Sequence, residues 1–114
     1  MQYQALDLSG SLLDGAASKA CGRKHLPRDK YSPSTNWAEG GPLVESGRIE
    51  VGPNYKDGDS NLEGPDHEWH AVYQSTKYCK ARVAQSIFAS GPTPLVAAMR
   101  CYVVLKLGST IELP

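Results

Sequence analysis

The segment from Thr93 to Gly108 constrains the fold of this chain most strongly, because its start, its end and its buried side can all be read from the sequence. Thr93 is a good N-cap, and Pro94 suits the first helical position, where a missing N–H costs nothing. Gly108 is typical of the residue that ends a helix. Apolar side chains recur between them at helical spacing: Leu95, Ala98, Met99, Tyr102, Val103 and Leu107. The pattern predicts an amphipathic helix that packs on a core.

Periodicity predicts one further helix and about three strands. Residues 7–22 have the three-and-four apolar spacing of a helix. Residues 68–74 and 80–89 alternate like strands and would be joined by a hairpin loop. A short third strand is predicted around residues 48–51. Ile111 and Leu113 indicate a short extended segment at the end of the chain.

The remaining stretches, residues 23–41 and 52–66, are rich in turn formers and are predicted to be loops. The chain of 114 residues is long enough for one core, so residues 1–114 are predicted to form a single domain. The predicted class is α+β, in the order α-β-β-β-α, with two helices packed on one face of a small antiparallel sheet. The other face of such a sheet could be covered by a second copy, which makes a homodimer an open possibility.

The charge composition excludes some partners. Twelve basic residues balance twelve acidic ones, so a role in binding long nucleic acids is not predicted. Five basic residues fall within residues 19–30, which leaves a local patch for a small anion open. No apolar run approaches the roughly 20 residues that span a bilayer, and the N-terminus has no export signal. We expect a cytoplasmic protein without a membrane partner.

Motifs for catalysis and metal binding are weak in this sequence. Residues 66–70, DHEWH, form a cluster of metal-type ligands, but on a strand His67 and His70 would point to opposite faces. Cys79 and His70 could pair across the hairpin, yet no oxyanion site can be read beside them. We therefore predict no catalytic residue, no metal and no cofactor. A small hydrolase built on the histidine cluster is kept as an alternative.

The three cysteines, Cys21, Cys79 and Cys101, match no disulfide or zinc spacing. Without an export signal they are expected to be reduced thiols. Cys21 and Cys101 fall on the apolar sides of the predicted helices, so both are predicted to behave as small hydrophobic residues.

Residues 31–45, YSPSTNWAEGGPLVE, combine aromatic rings, short polar side chains and glycines without a period. In one interpretation Tyr31 and Trp37 pack over the end of the sheet. In the other they stack on a ligand, while short polar side chains and close backbone approach supply further contacts. The candidates for those further contacts are Ser34, Thr35, Asn36, Gly40 and Gly41.

An anionic part of such a ligand could lie at the start of the predicted C-terminal helix, at Thr93 and the N–H groups that follow it. Arg48 and Arg100 are the candidate cationic contacts, because a guanidinium presents a fork of donors to a phosphate or carboxylate. Alternatively, Arg100 extends along the apolar stripe and pairs with a carboxylate such as that of Glu45.

Three blocks of the sequence resemble a known family: YSPSTNWAEGGPLVE, GPTPLVAAMRCYVVLKLG and the ending IELP. They are similar to the NinX-like proteins of lambdoid phages and prophages, and the likeness extends over nearly the whole chain, with departures around residues 54–84. The resemblance implies a phage or prophage accessory protein that acts in the cytoplasm of the host bacterium. It implies no catalytic residue and no cofactor.

Three functions follow as hypotheses. The first is a non-enzymatic module that binds a small anionic or nucleotide-like ligand, and so sequesters a nucleotide-derived signal of host defence. The second is a protein-binding module that inhibits or modulates a host or phage protein through the same aromatic stretch, because Trp, Tyr and Arg dominate such contacts. The third is the small hydrolase described above.

Overall fold

The computed structural model describes residues 2–22, 31–53, 68–74 and 86–113. The α-helices in these ranges are α1 (Gly10–Ala20), α2 (Trp37–Gly47) and α3 (Pro94–Leu107). The strands are β1 (Gln2–Gln4), β2 (Glu50–Pro53), β3 (Trp69–Gln74), β4 (Ser86–Gly91) and β5 (Thr110–Glu112). A single 3-10 turn, Ala5–Asp7, connects β1 to the chain that enters α1. No helix within the described ranges is long and apolar enough to cross a membrane.

The central sheet is antiparallel, with β3 between β2 and β4. Ala71 of β3 lies opposite Val51 and Ala89, and all three residues belong to the side of the sheet that faces the core. A second antiparallel pair joins β1 to β5, with Tyr3 opposite Ile111. The mixed α+β class and the three-stranded antiparallel sheet confirm the fold prediction, although α2 and the β1–β5 pair change the predicted order.

Helix α3 forms the centre of the core. It packs on β3 and β4 and also contacts α1 and α2. Its buried residues therefore extend around most of its circumference rather than along one stripe: Leu95, Val96, Ala97, Ala98, Met99, Cys101, Tyr102 and Val103. The Thr93 hydroxyl accepts a hydrogen bond from the Val96 N–H at 3.1 Å, which confirms the predicted cap.

Cys101 is fully buried in this core, as predicted, whereas Cys21 is half-buried and its Sγ donates to the Ser18 carbonyl oxygen at 3.3 Å. Burial raises the pKa of the Cys101 thiol from 9.0 to about 11, and a hydrogen bond with the Tyr73 backbone offsets part of that rise. The folded state therefore favours the protonated thiol. The stability that this preference contributes is complete below pH 9 and is lost as the pH rises through about 11.

Helix α2 corrects the loop prediction for residues 37–41, whereas residues 31–36 lie outside the helices and strands, as predicted. Asn36 is its N-cap, and the Asn36 Oδ1 accepts a hydrogen bond from the Ala38 N–H at 3.0 Å. At the third helical position, Glu39 Oε1 accepts one from the Ser32 N–H at 2.8 Å. The helix ends at Arg48, which has the left-handed φ of 52°. The predicted strand at 48–51 therefore begins later, at Glu50.

The close packing of α2 on α3 depends on two glycines of α2. A Cβ on Gly40 would lie 2.7 Å from Leu95 Cδ2, and one on Gly47 would lie 3.1 Å from Tyr102 Cδ1. Gly40 and Gly47 are seven residues apart, and so are Leu95 and Tyr102. The two helices therefore run side by side in the same direction, with their N-termini at the same end of the molecule.

The other sequence predictions have mixed outcomes. Residues 7–22 contain α1 as predicted, although the α-helix itself begins only at Gly10. The strand predicted at 68–74 is confirmed by β3. The strand predicted at 80–89 is confirmed only from Ser86 onward, because residues 75–85 lie outside the described ranges. Of the loop predicted for residues 52–66, Gly52 and Pro53 instead belong to β2, and residues 54–66 lie outside the described ranges, as do residues 23–30.

Candidate functional site

A pocket of about 280 Å³ opens where α2 and α3 begin. Its lining comes from two short segments, one entering each helix: Ser34, Thr35 and Trp37, then Thr93, Pro94 and Leu95. The parallel packing of the helices brings these segments together, because it places both N-termini at one end. The pocket therefore follows from the glycine contacts along the helix pair.

The turn that enters α2 is held by carboxylates. The Ser34 N–H donates to Asp14 Oδ1 of α1 at 2.9 Å, and the Ser32 N–H donates to Glu39 Oε1 at 2.8 Å. The Ser32 carbonyl oxygen accepts hydrogen bonds from the N–H groups of Thr35 and Asn36, at 3.1 and 2.9 Å. These contacts fix the backbone of the turn, two of whose residues, Ser34 and Thr35, line the pocket.

Ser34 is the least expected feature of the pocket. Its side chain is 2% exposed, and its Oγ has no hydrogen-bond partner among the described residues. A buried hydroxyl without a partner costs about 1–3 kcal/mol, and native proteins keep few of them. A buried, unpaired donor in the wall of a pocket is explained if a ligand supplies its acceptor.

The first turn of α3 presents a second donor to the pocket. Pro94 has no N–H, and the Val96 N–H is bound by the Thr93 hydroxyl. The Leu95 N–H, at the second helical position, has no acceptor within the helix. The partial positive charge at a helix N-terminus favours an anion at this point.

Trp37 provides an aromatic surface beside these donors. It is the first residue of α2, lines the pocket and is 55% exposed. An indole that is fixed at a helix start and open to solvent offers a flat platform on which a planar ring can stack.

The pocket contains four of the ten residues predicted to bind a ligand: Ser34, Thr35, Trp37 and Thr93. Pro94 and Leu95 also line it; Pro94 was not among the predicted contacts, whereas the Leu95 N–H is one of the backbone donors predicted to follow Thr93. Whether any of these residues binds a ligand remains a prediction.

The remaining predicted residues lie outside the pocket lining. Tyr31 is half-buried against the core, Asn36 caps α2, and Gly40 packs against Pro33 and Leu95. A Cβ on Gly41, by contrast, would meet nothing within 4 Å. Arg48 ends α2, and the 11 residues of that helix place it roughly 16 Å from the pocket.

Arg100 also lies away from the pocket, and it joins two distant parts of the chain. Its Nε donates to the Leu8 carbonyl oxygen and its Nη1 to the Ser90 carbonyl oxygen, each at 2.8 Å. These acceptors replace the carboxylate of Glu45 that was considered from the sequence. The contacts hold the chain before α1 against the end of β4.

The described ranges contain no group of three His, Cys, Asp or Glu side chains that could hold a metal ion. Within the DHEWH cluster, the His70 ring stacks on Phe88 with their centroids 5.8 Å apart and their planes at 16°. Asp66, His67 and Cys79 lie outside the described residues, so the hydrolase alternative is not tested by this geometry.

Fold and site together define a small α+β domain with a pocket of neutral donors at the shared end of two parallel helices. The family described as Bacteriophage P22, NinX matches residues 18–106, which is more than half of the chain, and the protein belongs to that family. The match confirms the resemblance drawn from the sequence and identifies a phage protein. It includes α2, all of α3 except its last residue, Leu107, and every residue that lines the pocket. A comparison with curated proteins gave no match.

Proposed function

We propose that this protein is a non-enzymatic phage accessory module that binds a small anionic, nucleotide-like ligand in the pocket between the N-termini of α2 and α3. The observation that carries the proposal is the buried Ser34 hydroxyl, which has no partner among the described residues and lies in the pocket wall. In the complex this hydroxyl and the Leu95 N–H donate to the anionic group, and Trp37 stacks on a ring of the ligand.

The size of the pocket supports a small ligand. Its volume of about 280 Å³ lies at the lower end of ligand sites, which are roughly 300–1,000 Å³. A pocket of this size holds one ring and one anionic group. We further propose that this binding sequesters a nucleotide-derived signal of host defence. This step follows by analogy from membership of a phage family rather than from the pocket itself.

The ligand itself can be identified by mass spectrometry of what heat releases from the protein. The protein is purified without denaturation from its bacterial host, both from resting and from phage-infected cells. We expect a stoichiometric nucleotide-like compound in at least one preparation. Protein that releases nothing from either source would contradict the proposal and favour a protein partner, for which the exposed Trp37 is the expected contact.

Replacing Ser34 by alanine should stabilise the ligand-free protein and weaken ligand binding. Alanine removes the unpaired hydroxyl and breaks no hydrogen bond of that side chain, so the free energy of unfolding should rise by about 1 kcal/mol. The same change removes a donor to the ligand. Urea unfolding of ligand-free protein measures the first effect, and calorimetry with the heat-released compound measures the second. A loss of stability in the ligand-free protein would mean that the hydroxyl has a partner within the fold.

Replacing Trp37 by alanine should weaken binding of the same compound by about 5-fold to 150-fold, because stacking of a base on an aromatic ring contributes about 1–3 kcal/mol. The fold should be retained, since Trp37 is 55% exposed. Phe88→Ala is the matched control, because Phe88 is 59% exposed and lies on the sheet, outside the pocket lining. Equal affinities for Trp37→Ala and Phe88→Ala would show that the ligand binds elsewhere.

A further inference from the structure

We infer that the pocket selects a singly charged phosphodiester of mononucleotide size over the doubly charged phosphomonoester. This inference rests on the proposed function and names the ligand class of the same pocket. It depends on three features of the site: the lining contains no charged side chain, two helix N-termini meet there, and two carboxylates lie behind the lining.

The lining supplies enough positive potential for about one negative charge. No residue that lines the pocket is Lys, Arg or His. The favourable potential comes from the N-terminus of α3, equivalent to roughly half an elementary charge, and from the N-terminus of α2, part of which Glu39 in the first turn of α2 already offsets. Together the two ends balance at most about one negative charge, which is the charge of a phosphodiester. A phosphomonoester carries about 1.5 to 2 negative charges at pH 7.

The two carboxylates that fix the turn oppose any further negative charge. Asp14 binds the backbone N–H of Ser34, a residue of the lining, and Glu39 binds the backbone N–H of Ser32. Neither carboxylate lines the pocket, so neither replaces the ligand as the acceptor for the Ser34 hydroxyl. Coulomb repulsion grows in proportion to the charge of the ligand, so these groups repel a dianion about twice as strongly as a monoanion.

The donors of the pocket also suit a phosphodiester. The Ser34 hydroxyl and the Leu95 N–H are neutral donors, and the volume of about 280 Å³ suits a ligand of about one nucleotide unit. Trp37 then receives the base while the two donors bind the non-bridging oxygens of the diester. A 3′,5′-cyclic mononucleotide has this combination of size, ring and single charge.

The test compares ligands that share a nucleoside and differ in whether the phosphate is a monoester or a diester. Calorimetry at pH 7.5 measures the affinity of the full-length protein for a nucleoside 5′-monophosphate, for its methyl phosphodiester and for the 3′,5′-cyclic nucleotide, with each of the four common bases. We expect both diesters of the preferred base to bind at least about tenfold more tightly than the monoester. A monoester that binds as tightly as the diesters, or more tightly, would overturn the inference while leaving the proposed function standing. Failure of all these compounds to bind would also overturn it.

Variants that neutralise the two carboxylates separate their effect on selectivity from the effect of the net charge of the protein. Glu39→Gln and Asp14→Asn each keep an acceptor oxygen for the turn and remove a negative charge. Each variant should bind both ligands more tightly, and the increase in the logarithm of the affinity should be about twice as large for the monoester as for the diester. Glu45→Gln is the control, because it makes the same charge change at an exposed position near the other end of α2. The inference fails if Glu39→Gln and Asp14→Asn change the ratio of diester affinity to monoester affinity no more than Glu45→Gln does. In that case the two carboxylates do not determine the selectivity.

Discussion

Replacement of Gly40 by alanine is expected to destabilise the protein by about 2–3 kcal/mol, as overpacking of a tight contact does. The added Cβ would overlap the Pro33 carbonyl oxygen and lie 2.7 Å from Leu95 Cδ2. The first of these atoms belongs to the backbone, so the overlap can be relieved only if α2 or the turn before it moves. Urea unfolding of the variant and the parent protein measures the change in the free energy of unfolding.

Gly41→Ala is the matched control for this prediction. Gly41 is the next residue of the same helix, and a Cβ there would meet nothing within 4 Å. Alanine should therefore change the stability by only about 0.5 kcal/mol or less, because its higher helix propensity is offset by the contact of its Cβ with the ring of the following residue, Pro42. The prediction for Gly40 is contradicted if both variants change the stability in the same direction and by similar amounts.

The Gly40 contact also determines the shape of the pocket. Leu95 lines the pocket, and Pro33 directly precedes the lining residue Ser34. Displacement of α2 by a methyl group at Gly40 would separate the two helix N-termini. Gly40 therefore acts on the site through packing, which differs from the direct ligand contact predicted from the sequence. The stretch at residues 31–45 is thus both a packed structural element and, at its turn, the wall of a pocket.

Elements with a clear period and good caps could be predicted from the sequence. The run from Thr93 to Gly108 has both signals, and β3 has a clean alternation around Ala71. Helix α2 was missed because Gly40, Gly41 and Pro42 have low helix propensity, so local preference favours a loop. Tertiary packing of α2 against α3 overrides that preference. The spacing from Asn36 to Glu39 was the available signal, since it is that of a capping box.

The β1–β5 pair could not be predicted, because each strand has three residues and its partner lies at the other end of the chain. Strand β5 itself confirms the short extended segment predicted from Ile111 and Leu113, so only its pairing with β1 was missed.

Predictions about the site depended on the same helix. When residues 31–41 are treated as a loop, Arg48 can be placed beside Trp37. Helix α2 instead carries Arg48 to the opposite end of the helix from Trp37. The turn and the α3 cap were assigned to one site from the sequence, but the parallel packing of α2 on α3 is what brings them together.

Replacement of Arg100 by methionine is expected to cost about 2–4 kcal/mol of stability. The change removes two charge-assisted hydrogen bonds, to the carbonyl oxygens of Leu8 and Ser90, each at 2.8 Å. Both contacts are partly buried, and a bond to a charged group is worth about 1.5–3 kcal/mol. The loss should be visible as a lower urea midpoint with an unchanged slope, because the same surface is exposed on unfolding. Arg100→Lys should recover only part of the stability, since one ammonium group lacks the planar fork that reaches both carbonyls.

Lys106→Met controls for the loss of a positive charge from α3. Lys106 is exposed, and its Nζ lies 5.8 Å from the centre of the Tyr102 ring, so its removal should cost about 0.5–1 kcal/mol. Ligand affinity provides an independent test, because Arg100 does not line the pocket. Folded Arg100→Lys protein should therefore bind the heat-released compound as the parent protein does. If instead Arg100→Met costs no more stability than Lys106→Met, and Arg100→Lys loses affinity, then Arg100 is an anion contact, and the bonds to Leu8 and Ser90 do not determine its role.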